Sequence, residues 1–476
     1  MYARMLLCSV MGLSAFVGGK TGFGVEKARD LHYCEIAVVE KGSGWPVPLV
    51  ELRTNHQASF VTDNAGVVAV DTPELMGRET WFAVSSDGYE VPADGFGYRG
   101  VRLTPRPGER LRVEVTRTSI ARRIGRLTGA GIFGESQKLG RERDWQESGV
   151  LGCDSVQNAV YRGKLFWAWG DTSLAGYPLG IFDMTSATTA VAPLESLQPP
   201  LRVKYDYFTD AKGRPRGVAP IPGNGPTWLS GYISLQDASG RERLVACYAK
   251  ITPPLDAYES GLCVWNDDKQ IFESLKTIWR KSADEPTCPP TPIGQPALWT
   301  DANQKKWVLF GDPLPKLRCP ATFEAWQDPS QWEVLPSQES LAAAGTGVDA
   351  NQRVVPHSGS IAWNEYRQRW VTVFMEKFGQ PSAFGELWYA EADSPLGPWG
   401  PAVKVLSHAN YTFYNPRLHP EFTPSDSPHL FFEGTYTQTF ADRQPATPRY
   451  DYNQILYRLD LDDPQLAPAQ TTAAAQ

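Results

Sequence analysis

The chain has 476 residues and a formal net charge of −7, and 42% of its residues are hydrophobic. This composition supplies a sizeable core and excludes a disordered chain. Mild acidity argues against a nucleic-acid partner, because such binders usually present a basic face. No apolar stretch reaches the ~20 residues that a bilayer span requires, so we expect a mature protein without a membrane span.

The first 24 residues have the pattern of an export signal. Arg4 precedes a short apolar run from Met5 to Val17, and Gly18 and Gly19 follow it. This pattern predicts a signal peptide in residues 1–24 and a secreted or periplasmic protein. The alternative is an ordinary disordered start.

Six cysteines remain once Cys8, inside the predicted signal, is set aside. An even number of cysteines in an exported protein permits disulfides. Cys247 and Cys263 flank one predicted hairpin connection, and Cys288 and Cys319 flank another. Both pairs are candidates, and sequence spacing alone does not decide the pairing.

Residues 28–118 alternate apolar and polar positions in short runs, for example CEIAVV at 34–39 and LRVEV at 111–115. Alternation with a period of two predicts strands, so we expect a small β-sandwich domain. The stretch TDNAGVVAVD at 62–71 resembles the carboxypeptidase-regulatory-like modules that are often attached to exported enzymes. We interpret this domain as a structural spacer.

Residues 119–149 change period. Ile120, Ile124 and Leu127 lie at i, i+4 and i+7, which predicts a helical linker that Ser119 would cap. The cluster Arg122, Arg123 and Arg126 falls mostly on its other faces. We interpret the cluster as a solvated helix face rather than a site for an acidic partner.

Residues 150–463 contain a repeated hairpin, and residues 464–476 read as a disordered tail. Five antiparallel units predict an all-β fold, a five-bladed β-propeller preceded by the small sandwich, with a pair of β-sandwiches as the alternative. The paired strands are predicted at 156–161 with 165–171, 231–236 with 244–250, 296–299 with 307–312, 360–363 with 370–376, and 416–419 with 430–436. Further strands are predicted at 179–184, 261–265, 387–390 and 455–459.

Polar side chains recur where the first strand of a hairpin begins and the second ends, two positions that meet at one rim of a propeller channel. The first strands begin near Asp154, Gln295, His357, Asn415 and Arg417, and the second strands end near Asp171, Lys250, Asp312, Glu376 and Glu433. Asp171 and Asp312 alternatively make turns. Glu376 and Glu433 follow apolar runs, where burial would raise a carboxyl pKa as a general acid requires, or they form ion pairs.

Most glycosidases hydrolyse the glycosidic bond with two carboxyl groups on opposite sides of a cleft, one as general acid and the other as base or nucleophile. The 55 aromatic residues fit the same chemistry, because sugar rings stack on aromatic faces, although most aromatics in such strands are core. Asp154, Asp171, Glu376 and Glu433 are therefore the catalytic candidates. The substrate-binding candidates are Gln157, Trp169, Trp228, Gln295, His357, Asn415, Arg417, Tyr436, Tyr452 and Asn453.

The segment GCDSVQNAVYRGKLFWAWGDT at 152–172 resembles the opening of five-bladed propeller glycosidases of the endo-D-arabinanase type. ELWYAEADSPLGPW at 386–399 is similar to a segment of glycoside hydrolase families 43 and 32. The resemblance implies an exported hydrolase of a polysaccharide or oligosaccharide, with Asp154 as base or nucleophile and Asp171 as acid. The first strands at 231–235 and 295–298 lack the acids of that pattern, so Glu376 or Glu433 is nominated as general acid.

Two other functions stay open at the level of sequence. A polysaccharide lyase would use His357 or His419 with Tyr436 or Tyr452, and Arg417 to neutralise a uronate. A non-catalytic propeller would bind carbohydrate without turnover. No cofactor is required for hydrolysis, but His357, His419 and the carboxylates offer ligands for a channel Ca²⁺, without any spacing signature for one.

Overall fold

The computed structural model describes residues 32–470, except 182, 192–196, 350, 442 and 444. The predicted signal peptide lies outside the described residues, as do residues 471–476. Within the described ranges, no helix is long and apolar enough to cross a membrane.

Two four-stranded sheets form the N-terminal domain and enclose one core, which includes Ile36, Leu52, Phe82 and Val113. One sheet has the order β4-β1-β8-β6 and the other β3-β2-β5-β7, and only the β1–β8 pairing among these is parallel. The similarity to regulatory modules stays a prediction. The strands are β1 (Cys34–Glu40), β2 (Glu51–Thr54), β3 (Ser59–Val61), β4 (Val67–Val70), β5 (Thr80–Ser85), β6 (Tyr89–Glu90), β7 (Gly100–Leu103) and β8 (Arg110–Arg117).

Five further sheets of at least four strands are arranged as the blades of a propeller. In chain order the remaining elements are β9 (Arg122–Arg126), α1 (Gly134–Lys138), β10 (Val150–Cys153), β11 (Val156–Tyr161), β12 (Lys164–Trp169), β13 (Thr172–Leu174), β14 (Tyr177–Ile181), β15 (Thr185–Ala190), β16 (Asp206–Tyr207), β17 (Thr227–Gln236), β18 (Glu242–Thr252), β19 (Asp256–Asn266), β20 (Ile271–Arg280), β21 (Ala297–Thr300), β22 (Lys306–Gly311), β23 (Pro315–Pro320), α2 (Phe323–Trp326), β24 (Glu333–Val334), β25 (Leu341–Ala344), β26 (Arg353–Val354), β27 (Pro356–Asn364), β28 (Arg369–Glu376), β29 (Glu386–Ala392), β30 (Ala402–Ser407), β31 (Thr412–Leu418), β32 (His429–Thr437) and β33 (Asn453–Asp460).

The blades have the strand orders β11-β12-β15-β16, β17-β18-β19-β20, β21-β22-β23-β24, β27-β28-β29-β30 and β31-β32-β33-β9. The fourth blade is extended by β25 and β26, and a small sheet β10-β13-β14 stands beside the first. This architecture confirms the predicted five-bladed propeller. Each predicted hairpin corresponds to the first two strands of one blade, because alternating apolar runs around a polar turn specify a local antiparallel pair.

The predicted helical linker at 119–149 is wrong for its first part. Residues Arg122–Arg126 form β9, which pairs with β33 and so completes the last blade with a strand from before the first. Ile124 and Leu127 are buried there, within the core of the first and last blades. Only Gly134–Lys138 is helical. A three-residue apolar pattern at helical spacing fits an irregular buried strand equally well, so periodicity alone did not separate the two.

The arginine cluster on β9 forms the junction between the two domains and is not a solvated face. Arg122 pairs with Glu40 at 2.9 Å. Arg123, only 1% exposed, donates to the carbonyl oxygens of Pro48 at 3.0 Å and Asp87 at 3.1 Å. The buried guanidinium therefore satisfies loop carbonyls of the N-terminal domain that would otherwise lack partners.

Two smaller predictions are also corrected. The third strand of the first blade is Thr185–Ala190, whereas residues 177–181 belong to the small neighbouring sheet. Residues Pro464–Gln470 are not a disordered tail but a 3₁₀ helix. Leu466 and Ala469 are fully buried in the core of the fourth and fifth blades, and this burial holds the segment in place.

The six cysteines of the described chain are free, so neither predicted disulfide forms. Cys247 pairs across the sheet with Leu262, whereas Cys263 pairs with Ala246. Because successive side chains of a strand point to opposite faces, Cys247 and Cys263 lie on opposite faces of the blade. Sequence spacing does not fix this one-residue difference in register.

Candidate functional site

The starts of three inner strands meet at one rim of the channel. The backbone N–H of Asn415 donates to Oγ of Ser358 at 3.2 Å, and the Asn415 amide donates to Oγ of Ser155. Ser155 in turn donates its N–H to Oγ1 of Thr435 at 3.0 Å. These bonds join β11, β27 and β31 next to Asp154, which lies between β10 and β11. Of the predicted strand starts, those near Asp154, His357 and Asn415 meet at this rim.

Asp154 is held by two tyrosines that the chain brings from its last blade. Oδ2 of Asp154 accepts a hydrogen bond from the hydroxyl of Tyr414 at 2.9 Å and from that of Tyr452 at 2.8 Å. Burial raises the pKa of Asp154, and the two hydroxyls act in the opposite direction because they stabilise the charged carboxylate. Tyr452 adopts a left-handed backbone with φ of 59°, which directs its ring toward Asp154.

Oδ1 of Asp154 lies against the backbone of Gly170. A Cβ atom at position 170 would stand 1.9 Å from this oxygen, so only glycine allows the close approach. Gly170 also donates its N–H to the carbonyl oxygen of Asp154 at 2.9 Å. The glycine of the GDT segment thereby fixes Asp154 beside the next residue, Asp171.

Asp171 is the second carboxylate of the rim. The N–H of Asp154 donates to the carbonyl oxygen of Asp171 at 3.2 Å, which makes the two residues backbone neighbours across the strands. Burial, together with the negative charge of Asp154 and a smaller contribution from Asp183, raises the pKa of Asp171 to about 7, and a hydrogen bond from Trp228 lowers it. Oδ1 of Asp171 is buried without a hydrogen-bond partner in the described part of the chain.

Three further predicted residues line the rim without contacting Asp154. Asp312 accepts the N–H of Gly359 at 2.7 Å, and desolvation by the surrounding protein raises its pKa to about 7. His357 is exposed, and desolvation lowers its pKa. Glu376 is half-buried and accepts from the indole N–H of Trp388 at 2.8 Å. Asp312 and Glu376 are thus at the predicted strand ends, but no contact joins them to the Asp154 pair.

Glu433 is not at the rim but lies fully buried in the interior of β32. Its Oε1 lies 2.8 Å from Nε2 of His419, and Nδ1 of His419 lies 2.9 Å from Oε1 of Glu421. Burial lowers the pKa of His419, but the attraction of Glu421 and Glu433 outweighs it and raises the pKa above its ordinary value. We therefore correct the nomination of Glu433 as a general acid, because a fully enclosed, paired carboxylate does not reach a substrate.

Arg417 belongs to the same buried network. Its guanidinium donates to the side-chain and main-chain oxygens of Asn158 at 2.5 and 2.8 Å, and also to Oε1 of Gln295. Gln295 additionally donates to the carbonyl oxygen of Val156 at 3.1 Å. These bonds tie the inner strands together below the rim, so Arg417 and Gln295 act as framework and not as contacts to a ligand.

Other predicted binding residues are also framework. Trp169 is fully buried and lies 5.0 Å, ring to ring, from Tyr205. Tyr436 stacks on Tyr411 at 4.0 Å. The remaining members of this buried set are Gln157, which accepts from the N–H of Tyr232, and Asn453, which bonds Thr128 and Leu151. Lys250, predicted at a strand end of the rim, is also buried and donates to the carbonyl oxygens of Ile221 and Gly225.

Four of the predicted binding residues keep access to solvent at the rim: Trp228, His357, Asn415 and Tyr452. The hairpin repeat did not single out Asp183, which accepts the N–H of Thr227 at 2.9 Å and adds its charge near Asp171. Asp183 lies between strands, where the repeat carries no signal.

No group of three or more His, Cys, Asp or Glu side chains is arranged to hold a metal ion in the described ranges. His419, one of the two histidines expected to face a channel Ca²⁺, is bonded on both ring nitrogens to Glu421 and Glu433. The channel Ca²⁺ therefore stays a prediction.

No family model matches the chain, and no curated protein matches it. The chain is similar to the solved structure of an exo-1,5-α-L-arabinanase from a bovine ruminal metagenomic library, with 10% identity, a TM-score of 0.38, and coverage of 66% of this chain and 94% of that one.

It is also similar to a native arabinanase of Bacillus subtilis, with 11% identity, a TM-score of 0.33, and coverage of 64% and 93%. A third similar structure is an exo-β-1,3-galactanase of Phanerochaete chrysosporium with galactose, with 10% identity, a TM-score of 0.38, and coverage of 66% and 61%.

Proposed function

We propose that this protein is a glycoside hydrolase that cleaves a polysaccharide or oligosaccharide with Asp154 and Asp171. The observation that supports the proposal is the pairing of two carboxylates with different surroundings at the channel rim. Asp154 accepts two tyrosine hydrogen bonds, whereas Asp171 has an unpartnered, buried Oδ1 among the described residues. Environments that differ in this way separate the acid from the base in a carboxylate pair.

Asp171 is the proposed general acid. Its pKa of about 7 keeps a large fraction of the carboxyl protonated near neutral pH, so it donates a proton to the departing glycosidic oxygen. Asp154 is the proposed base or nucleophile. Burial raises the pKa of its carboxyl, and the hydroxyls of Tyr452 and Tyr414 oppose that rise because they donate hydrogen bonds to the charged form. It either removes a proton from the attacking water or attacks the anomeric carbon directly. This assignment needs neither Glu376 nor Glu433 as the acid.

The buried network argues against the lyase alternative. A lyase base must reach a proton of the substrate, but His419 and Tyr436 are at most 2% exposed. Arg417 is engaged by Asn158 and Gln295, so its guanidinium is not free to neutralise a uronate. Of the groups named for that alternative, His357 and Tyr452 alone remain accessible, and Tyr452 is bonded to Asp154.

The test is hydrolysis by the purified chain of linear 1,5-α-L-arabinan, β-1,3-galactan, xylan and a broader polysaccharide panel, read by release of reducing ends. We expect Asp154→Asn and Asp171→Asn each to lower kcat by at least about 100-fold, the lower end of the contribution of a positioned acid or base. Asp393→Asn is the matched control, because Asp393 is 74% exposed and follows the end of β29 that pairs with Trp370, at the opposite end of β28 from Glu376.

Binding of a polymer by both wild type and Asp154→Asn, without hydrolysis by either, would favour a non-catalytic carbohydrate-binding propeller. Export is a separate part of the proposal, since it rests on residues 1–24. Cell fractionation with N-terminal sequencing of the full chain tests it, and a chain that stays inside the cell with Met1 intact would contradict it.

A further inference from the structure

Three phenylalanines cluster on the rim between the fourth and fifth blades. The ring centroids of Phe378 and Phe384 are 5.6 Å apart, and those of Phe384 and Phe440 are 6.2 Å apart. Phe378 is 67% exposed and Phe440 is 70% exposed. We call Phe378, Phe384 and Phe440 the rim phenylalanines. A connected, solvent-exposed aromatic patch of this kind is typical of a binding surface.

The backbone presents two of these rings at unfavourable conformations. Phe378 has φ of 58° and Phe440 has φ of 62°, in the left-handed region that bulky side chains rarely adopt. Neither ring gains burial in return, because both stay largely exposed. Strained backbone conformations cluster at ligand sites, where function rather than core packing retains them.

The rim phenylalanines are linked to the carboxylate pair through the backbone of the fifth blade. Phe378 follows the end of β28 and Phe440 follows the end of β32, which are the strand ends that meet at the catalytic rim. The carbonyl oxygen of Phe384 accepts the N–H of Phe413 at 2.8 Å. The next residue, Tyr414, donates to Asp154 at 2.9 Å. Two hydrogen bonds and one peptide bond therefore connect Phe384 to Asp154.

Polar groups stand beside the rings. The imidazole of His357 lies 5.3 Å from the ring of Phe384, and Nζ of Lys377 lies 5.7 Å from that of Phe378. An apolar face flanked by hydrogen-bonding groups matches a sugar ring, whose C–H face is apolar and whose edge carries hydroxyls. A protein partner would instead favour a wider apolar area with a buried centre.

We propose that the rim phenylalanines form a platform for sugar rings of a glycan chain remote from the bond that is cleaved. The substrate class is then a chain of several sugars rather than a short glycoside. The inference rests on the proposed function for the identity of its ligand. Binding energy gained on the platform would act only on substrates long enough to reach it.

The experiment compares wild type with the double variant Phe378→Ala/Phe440→Ala. Linear 1,5-α-L-arabinan, β-1,3-galactan and xylan are the long probes, and the p-nitrophenyl glycosides of the same sugars are the short ones. We expect the double variant to lose about tenfold or more in kcat/KM on the polymer that wild type hydrolyses, the size of loss found when central aromatic anchors are truncated. Activity on the short glycosides should remain unchanged.

Control variants distinguish a loss of sugar stacking on the rim phenylalanines from a general loss of folded protein. Phe96→Ala removes a ring that is 91% exposed in the N-terminal domain, and it should leave both activities unchanged. Phe378→Trp/Phe440→Trp keeps aromatic faces and should restore most of the polymer activity. Polymer binding by Asp154→Asn, with and without the two alanines, gives a second readout by calorimetry that requires no turnover.

The outcomes distinguish the two proposals. Equal polymer kinetics and binding for wild type and the alanine variant would overturn the platform and leave the hydrolase standing. Polymer binding that the alanines abolish, without any hydrolysis, would overturn the hydrolase and leave the platform. Failure of the chain to bind any of the three polymers would overturn the platform. A wild-type dimer that the alanine variant fails to form would also overturn it, because a second copy of the chain would then occupy the rim phenylalanines.

Discussion

The hydroxyl of Tyr452 donates to Oδ2 of Asp154 at 2.8 Å across a sequence separation of 298 residues. Tyr414 donates to the same oxygen from 260 residues away. Both donors come from the last blade and Asp154 comes from the first. The closure of the propeller ring therefore completes the surroundings of the proposed base.

Removing either hydroxyl should move the pH profile. Tyr452→Phe and Tyr414→Phe each delete a hydrogen bond that stabilises the charged Asp154, so the pKa of Asp154 should rise. If the pKa of the base rises, the acidic limb of the kcat/KM profile moves to higher pH. The expected shift is about one pH unit, the effect of one hydrogen bond to a charged group. Profiles of kcat/KM against pH measure the shift.

Tyr366→Phe is the matched control, because its hydroxyl bonds Asp462 at 2.6 Å on the exposed surface. An acidic limb that stays in place in Tyr452→Phe, with activity retained, would contradict the assignment of Asp154 as the base.

Asp171→Asn should become more stable than wild type as the pH rises. The pKa of Asp171 is raised to about 7 in the folded chain, against 3.8 for an ordinary aspartate. The folded state then holds the proton more tightly than the unfolded state, so wild type loses stability between about pH 4 and pH 7. The asparagine variant lacks this loss. Its Tm relative to wild type should rise from pH 4 to pH 8.

The measurement is thermal unfolding at several pH values, with Asp393→Asn again as the control. A Tm difference between Asp171→Asn and wild type that is independent of pH would show that Asp171 titrates normally.

Arg123→Ala should destabilise the protein by about 3 kcal/mol or more. The change leaves the carbonyl oxygens of Pro48 and Asp87 buried without their donor, and each unsatisfied buried group costs about 1–3 kcal/mol. Arg112→Ala is the control, because Arg112 is 60% exposed and a change there should stay within about 0.5 kcal/mol. Urea unfolding compares the two. Equal midpoints would contradict the junction role.

Glu433→Gln should lower stability without moving either limb of the pH profile. The substitution removes a negative charge from beside the buried His419, and breaking a buried pair costs about 3 kcal/mol. The raised pKa of His419 means that its contribution to stability is complete below its unfolded pKa of about 6.5 and is lost as the pH rises through the folded pKa.

The stability difference between wild type and Glu433→Gln should therefore be larger at pH 6 than at pH 9. Glu365→Gln, at an exposed turn, serves as the control. Loss of the basic limb of the activity profile in Glu433→Gln would instead indicate that Glu433 is the acid.

Local sequence determined the hairpins and the position of Asp154 and Asp171. The prediction of a strand at Val156–Tyr161 matches the structure at both ends. This strand pairs with β12, the next strand in the chain, across the Arg-Gly-Lys turn, so local sequence is sufficient to specify it. Repetition of that unit five times determined the number of blades. The repeat placed polar residues at strand starts and strand ends, and the resemblance of the GDT segment singled out Asp171 beside Asp154. Their catalytic roles stay a prediction.

The tertiary structure alone decided everything that depends on partners distant in the chain. Arg122–Arg126 is a strand because β33, more than 300 residues later, supplies its hydrogen bonds. Glu433 and Asp171 both end apolar strands in sequence, yet only Glu433 faces His419 and is fully enclosed. Strand register separated Cys247 from Cys263. The alternation of residues along a strand determines on which face of the sheet each side chain lies. Burial, strand register and charge partners depend on the strands and loops that the folded propeller brings next to that side chain.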